Sequence, residues 1–218
     1  MSMYNGQAEQ DKFVCNVLNN KVSGYFVEVG SNHPIEINNT YKLEHELSWT
    51  GLMLEYQRNE FEQLYKEHRP NSTYIFGDAQ QHDYVDLFES NKLPLNIDYL
   101  QLDIEPAPKT LNVLRILDSS VMDLYKFAVI TFEHDYCHDK DNKVRLQSRR
   151  ILMDRGYDLV FPDIHNEHPK YVYEDWYVHP ELVDMEYIKN LKSNNQDNYI
   201  TNPFPAIERS LDWRDIVY

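Results

Sequence analysis

Four short apolar runs in this chain each stop on a glycine or an acidic residue, and that regularity constrains the fold more than any other feature. Residues 25–29 end at Gly30, 52–54 at Glu55, 73–76 at Gly77-Asp78 and 97–102 at Asp103. A fifth run, 127–132, leads into Glu133-His134-Asp135. Between them lie segments of helical periodicity: one through Trp49 capped by Asn38 or Asn39, then 60–68, 84–89 and 109–117. A further helix over 144–155 is closed by Gly156, and 157–161 and 174–178 supply two more strands. At the N-terminus, 7–22 reads as a helix with Phe13, Val14, Val17 and Leu18 on one face. Strands alternating with helices of about ten residues imply right-handed crossovers. The expected fold is therefore α/β and Rossmann-like, a mostly parallel seven-stranded sheet with helices on both faces.

A chain of 218 residues suits one domain. Residues 1–190 are expected to form it, with 191–218 a tail that packs on the domain or on a partner subunit, so a homodimer is an open expectation. With 36 acidic against 21 basic side chains the net charge is −15. Such a surface repels phosphate backbones and anionic lipid, so neither nucleic acid nor membrane is expected as a partner. No apolar run has spanning length and no leader precedes the first helix, which points to a soluble, cytoplasmic protein. Cys15 and Cys137 show no metal-site spacing, and Cys15 falls on an apolar phase as a core thiol.

In an open parallel sheet, ligands bind outside the carboxyl ends of the strands. A nucleoside cofactor needs a glycine turn for close backbone approach and a carboxylate for its ribose hydroxyls. Glu55, 25 residues beyond Gly30, sits where such an acid is expected. A dinucleotide would require G-x-G-x-x-G to seat its pyrophosphate, yet Gly30 is followed by Ser31, Asn32, His33 and Pro34. A cofactor without phosphates fits better, and S-adenosylmethionine is one.

Phe26 to Asn32, Gly51 to Glu55 and Ile97 to Glu105, followed by Phe132-Glu133-His134 and Arg155-Gly156-Tyr157, resemble the FkbM-type methyltransferases. The resemblance covers roughly residues 24 to 165. It implies a class I methyltransferase fold and transfer of a methyl group from S-adenosylmethionine to a hydroxyl, often of a sugar or glycan. The family usually shows D-x-E-G, whereas Asp103-Ile104-Glu105 is followed here by Pro106, a stiffer turn. Carried over by position, Glu28 and Gly30 would shape the methionine end of the cofactor site, Glu55 would hold the ribose, and Asp78 with Ala79 would lie beside the adenine. Ser31, Asn32 and Asp103 are further cofactor-binding candidates. Glu28 admits a second reading as a surface-strand charge.

A sugar hydroxyl is a weak acid, so its proton must be removed or offset. Asp103, Glu133 and His134 lie at the ends of neighbouring strands and are candidates for one divalent ion, Mg or Mn. Their spacing resembles the magnesium site of catechol-type and macrolide-sugar O-methyltransferases. The metal-free alternative makes His134 or Glu105 the general base, beside Asp103. Asp175, Trp176 and His179 are expected to line the acceptor cleft, where an aromatic face stacks on a sugar, although Trp176 fits a core equally well. His165 and His168 fall in a Pro- and Asn-rich loop without the rigid spacing of a zinc site. Two other functions compete: a metal-dependent hydrolase using Asp103, Glu133 and His134, and an inactive Rossmann-like interaction module.

Overall fold

The computed structural model describes residues 4–138, 142–165 and 172–194. Seven strands form one sheet: β1 (Tyr25–Val29), β2 (Thr50–Glu55), β3 (Thr73–Phe76), β4 (Asn96–Leu102), β5 (Lys126–Glu133), β6 (Asp158–His165) and β7 (Val172–Val178). Their order is β3-β2-β1-β4-β5-β7-β6. The first five pair in parallel, whereas β7 runs antiparallel to both β5 and β6. Strand order reverses between β1 and β4, which is where a crevice opens in an α/β sheet.

Among the described residues, seven α-helices cover the faces: α1 (Gln10–Val17), α2 (Tyr41–Leu47), α3 (Arg58–His68), α4 (Tyr84–Ser90), α5 (Ala107–Ser120), α6 (Lys143–Asp154) and α7 (Met185–Asn194). Two apolar layers result, because successive strand residues point to opposite faces. Val27, Val29, Leu52, Leu54, Leu100 and Leu102 pack with Phe88 of α4, Leu114 of α5 and Leu152 of α6. Phe26, Met53, Tyr99 and Val129 pack on the other face with Phe13 of α1, Leu43 of α2, Phe61 of α3 and Ile188 of α7.

The first helix is shorter than the expected 7–22. Glu9 sits in the left-handed region at its start, and Asn19 and Asn20 adopt positive φ just past its end, so neither flank continues the helix. Cys15 is buried among its core neighbours, as its apolar phase implies. Asn38 and Asn39 do not cap α2; Thr40 holds that position. Gly156 closes α6 at φ 85°. The expected division at 190 falls inside α7, and the remaining tail, like His168, lies outside the described residues. No helix among the described residues is long and apolar enough to cross a membrane.

Candidate active site

The carboxyl ends of β1, β2 and β4 are tied together by backbone. The amides of Gly30 and Ser31 donate to the Leu54 carbonyl at 2.9 and 3.2 Å, and the Asp103 amide donates to the Val29 carbonyl at 2.9 Å. Gly30 takes φ 83°, and a β-carbon there would lie 1.6 Å from the Asp103 carbonyl oxygen. Only glycine satisfies both the backbone angle and the approach. The loop beyond is fixed in turn by Glu55, whose two oxygens accept the Asn32 amide at 2.7 Å and the Gln57 amide at 2.8 Å.

These strand ends open into a cleft of about 800 Å³, within the range of small-molecule sites. Gly30, Asn32, Glu55, Tyr56, Asp78 and Ala79 line one half; Asp103, Glu105, Glu133, Asp135 and Tyr173 line the other. Six carboxylates therefore face the cleft, with Lys109 and His138 as its basic groups. Asp78 caps the 3₁₀ turn Ala79–Gln81 by accepting the Gln80 amide at 3.0 Å, and that bond holds its carboxyl below the usual range. A pyrophosphate would be repelled here, whereas a cationic ligand is favoured.

Asp103 and Glu133 are hydrogen-bonded to each other. Burial raises both carboxyls and their mutual charge adds to the rise of Glu133, so the pair holds on to a shared proton. Glu105, Glu133 and Asp135 each bring a carboxylate oxygen within 4.8 Å of the others. All three donors are hard oxygens, the set that suits Mg or Mn.

His134 does not join Asp103 and Glu133. It follows Glu133 in an extended segment and therefore points to the opposite side. Its ring is fully buried, with Nε2 3.4 Å from Asp175 and 3.8 Å from Asp163, and its Nδ1 accepts the Tyr136 amide at 3.2 Å. Of the expected metal set of Asp103, Glu133 and His134, the histidine is thus not brought to the group, and the carboxylates of Glu105 and Asp135 are the ones that gather with Glu133. For the same reason His134 is not placed to act as a general base in the cleft.

The three expected acceptor residues do not line the cleft either. Asp175 is buried in a two-bond pair with Arg149, both contacts 2.8 Å. Trp176 is core, stacked on Phe13 at 4.7 Å between ring centroids. The His179 amide donates to the Ala128 carbonyl, near the end of β5 remote from the cleft. The cause is the direction of β7: pairing Glu133 with Glu174 and Val129 with Val178, it enters at the cleft and leaves from it. The residues it delivers to the cleft end are Tyr173 and Glu174.

Glu28 and Ser31 are buried away from the cleft. Glu28 alternates with Val27 and Val29 and so faces α2 and α3, where it accepts from Thr40 Oγ1 at 2.7 Å and Asn38 Nδ2 at 3.3 Å. Arg69, itself fully buried, pairs with Glu44 at 2.7 Å and donates to Asn38 and Thr40. Burial pushes the Glu28 carboxyl up to about 7 despite the nearby Arg69 charge. Ser31 Oγ lies 2.6 Å from the Tyr65 hydroxyl. Both residues hold the loop after β1 from behind.

No family model matches the sequence, and a comparison with curated proteins returns no match. Solved structures do match. A protein from Clostridium thermocellum described as an rRNA-methylase aligns with TM-score 0.53 at 13% identity, over 82% of this chain and 99% of that one. A protein from Staphylococcus aureus described as a caffeoyl-CoA O-methyltransferase gives 0.53 at 14%, over 78% and 82% of the two chains. One from Klebsiella pneumoniae described as an O-methyltransferase gives 0.52 at 15%, over 82% and 83%. The fold is that of the class I methyltransferases.

Within the class I methyltransferase fold, several cleft residues escaped the sequence reading. Tyr56, 73% exposed, directly follows Glu55 and was legible as the next residue in the strand-end motif. Asp135 stands two residues beyond Glu133, on the same side of the extended segment, and that parity was the signal for it. Tyr173 is brought in only by the reversed β7, and no local signal announces it.

Proposed function

We propose that this chain is an S-adenosylmethionine-dependent O-methyltransferase whose acceptor is a hydroxyl of a sugar or glycan. The observation that carries the reading is the cleft at the ends of β1, β2 and β4, where Gly30 permits backbone approach and Glu55 presents a fixed carboxylate. The donor set fits this cofactor: carboxylates suit ribose hydroxyls and a sulfonium, and the cleft lacks the glycine-rich anion cradle of a dinucleotide site. S-adenosylmethionine supplies an electrophilic methyl group.

The chain's own residues then have distinct work. Glu55 accepts from the ribose hydroxyls, while Asp78 and Ala79 flank the adenine. Gly30 and Asn32 border the methionine end, and Glu28 and Ser31 support that loop without touching the ligand. Asp103 and Glu133 stand at the far half of the cleft, where a carboxylate orients an acceptor hydroxyl and takes its proton. Mg or Mn on Glu105, Glu133 and Asp135 would lower the pKa of that hydroxyl. Tyr56, largely exposed at the cleft, offers the aromatic face expected of Trp176. The FkbM-type resemblance supports the sugar acceptor.

The test is transfer of labelled methyl from S-adenosylmethionine to a panel of saccharides, with and without EDTA. Label on carbohydrate hydroxyls, reduced at least about 100-fold in Asp103→Ala, is the expected result. Label on RNA with none on saccharides would replace the acceptor, and no label from any acceptor would defeat the reading.

A further inference from the structure

Beyond the carboxylate group, the turn that follows β5 brings three chemically different donors together. Asp135, Cys137 and His138 each offer one ligand atom, all within 4.8 Å of one another. His138 Nδ1 lies 3.5 Å from Cys137 Sγ and 3.5 Å from Asp135 Oδ1. A tetrahedral zinc ion with bonds of about 2.3 Å to sulfur and about 2.0 Å to nitrogen and oxygen would separate its ligands by roughly 3.5 Å (S···N) and roughly 3.3 Å (O···N). The sulfur–nitrogen edge matches, the oxygen–nitrogen edge lies within about 0.2 Å, and the sulfur–oxygen edge falls under 4.8 Å.

The turn is held in place from several sides. The His134 and Asp135 amides donate to the Tyr173 carbonyl at 2.6 and 3.0 Å, and the His138 amide returns to the Asp135 carbonyl at 2.8 Å. Asp135 adopts φ 50°, a left-handed conformation that aspartate tolerates and that reverses the chain. The Tyr136 ring lies under the Arg145 guanidinium of α6 at 3.7 Å. Donors on a braced turn lose little freedom when they converge on an ion.

We propose that Asp135, Cys137 and His138 form a site for a borderline-soft divalent cation, zinc above all, at the rim of the cleft. A thiolate and an imidazole select zinc over magnesium, which prefers oxygen throughout. All three residues line the cleft, so the fourth position of the ion faces it. Three protein ligands with an open position is the arrangement of a zinc ion that binds water or substrate rather than one that only staples a fold. Asp135 also belongs to the carboxylate group with Glu105 and Glu133, so the two candidate sites share one ligand.

The test uses the untagged full chain, stripped of metal and titrated with cobalt(II) alone under a non-thiol reductant. The expected result is a thiolate-to-cobalt charge-transfer band in the near ultraviolet with tetrahedral visible bands, saturating at one equivalent and bleached by zinc. Cys137→Ser should abolish the charge-transfer band, and His138→Ala should weaken cobalt binding at least tenfold, both with an unchanged circular dichroism spectrum. Absence of the band in the natural chain, or its survival in Cys137→Ser, would overturn the site. Methyl transfer plays no part in this readout, so it stands apart from the proposed activity.

Discussion

Gly30 and Asp103 approach so closely that a β-carbon on the first would sit 1.6 Å from the carbonyl oxygen of the second. This contact joins the loop after β1 to the loop after β4 and sets the floor of the cleft. Gly30→Ala combines a left-handed backbone with a backbone clash that no side-chain rotation relieves. The expected cost is about 3 kcal/mol or more, read from urea unfolding, with loss of ligand binding at temperatures where the variant stays folded.

Glu55 is tied to the chain by two backbone amides and still faces the cleft. Glu55→Gln keeps one acceptor and turns the other into a donor, so it leaves an amide of the turn without its partner. A charged hydrogen bond contributes about 1.5–3 kcal/mol, so S-adenosylhomocysteine should bind roughly ten- to a hundredfold more weakly. Calorimetric titration of the variant checks this; unchanged affinity would remove Glu55 from the ligand site.

Arg149 lies between two buried carboxylates, 2.9 Å from Asp163 and 2.8 Å from Asp175. Asp163 also pairs with Arg145 at 2.8 Å, so removing Arg149 leaves chiefly Asp175 as buried negative charge without an arginine. Arg149→Leu should destabilise the fold by about 3–5 kcal/mol, measured by thermal or urea unfolding. A loss under about 1 kcal/mol would show that water reaches those carboxylates.

Stability should fall on the alkaline side. Burial, opposed by Arg69, places the Glu28 carboxyl at about 7, and burial together with Asp103 places Glu174 at about 8, against an ordinary 4.5. Both are raised in the folded chain, so their contribution is complete below 4.5 and is lost as pH rises through those values. Asp175 has the opposite sign: Arg149 and His134 offset its burial and hold it well below its usual range, so its contribution is lost only in strong acid. The unfolding free energy from urea titrations should therefore fall between about pH 4.5 and pH 8 by an amount on the order of 1–3 kcal/mol. Glu174→Gln, which retains an acceptor for Gln10, should flatten that decline.

The strand and helix order was readable from the chain because each parallel crossover repeats the same signal, an apolar run closed by glycine or acid. Gly30, Asn32, Glu55, Asp78, Ala79 and Asp103 all line the cleft for that reason. Side-chain parity was also in the sequence: Glu28 alternates with Val27 and Val29, and His134 follows Glu133, so each was bound to face away from its neighbours. The direction of β7 was not. Antiparallel entry is set by pairing with β5 and β6 at once, which no short window of sequence carries, and it left Trp176 in the core and His179 on the far side. The Cys137-His138 pair likewise shows its partner Asp135 only once the turn closes.

Binding of S-adenosylhomocysteine to the purified chain, followed by isothermal titration calorimetry, tests the central claim most directly. The account predicts one site with a dissociation constant on the order of micromolar and a clear loss in Glu55→Ala. No heat of binding at millimolar ligand, with the chain folded, would contradict it.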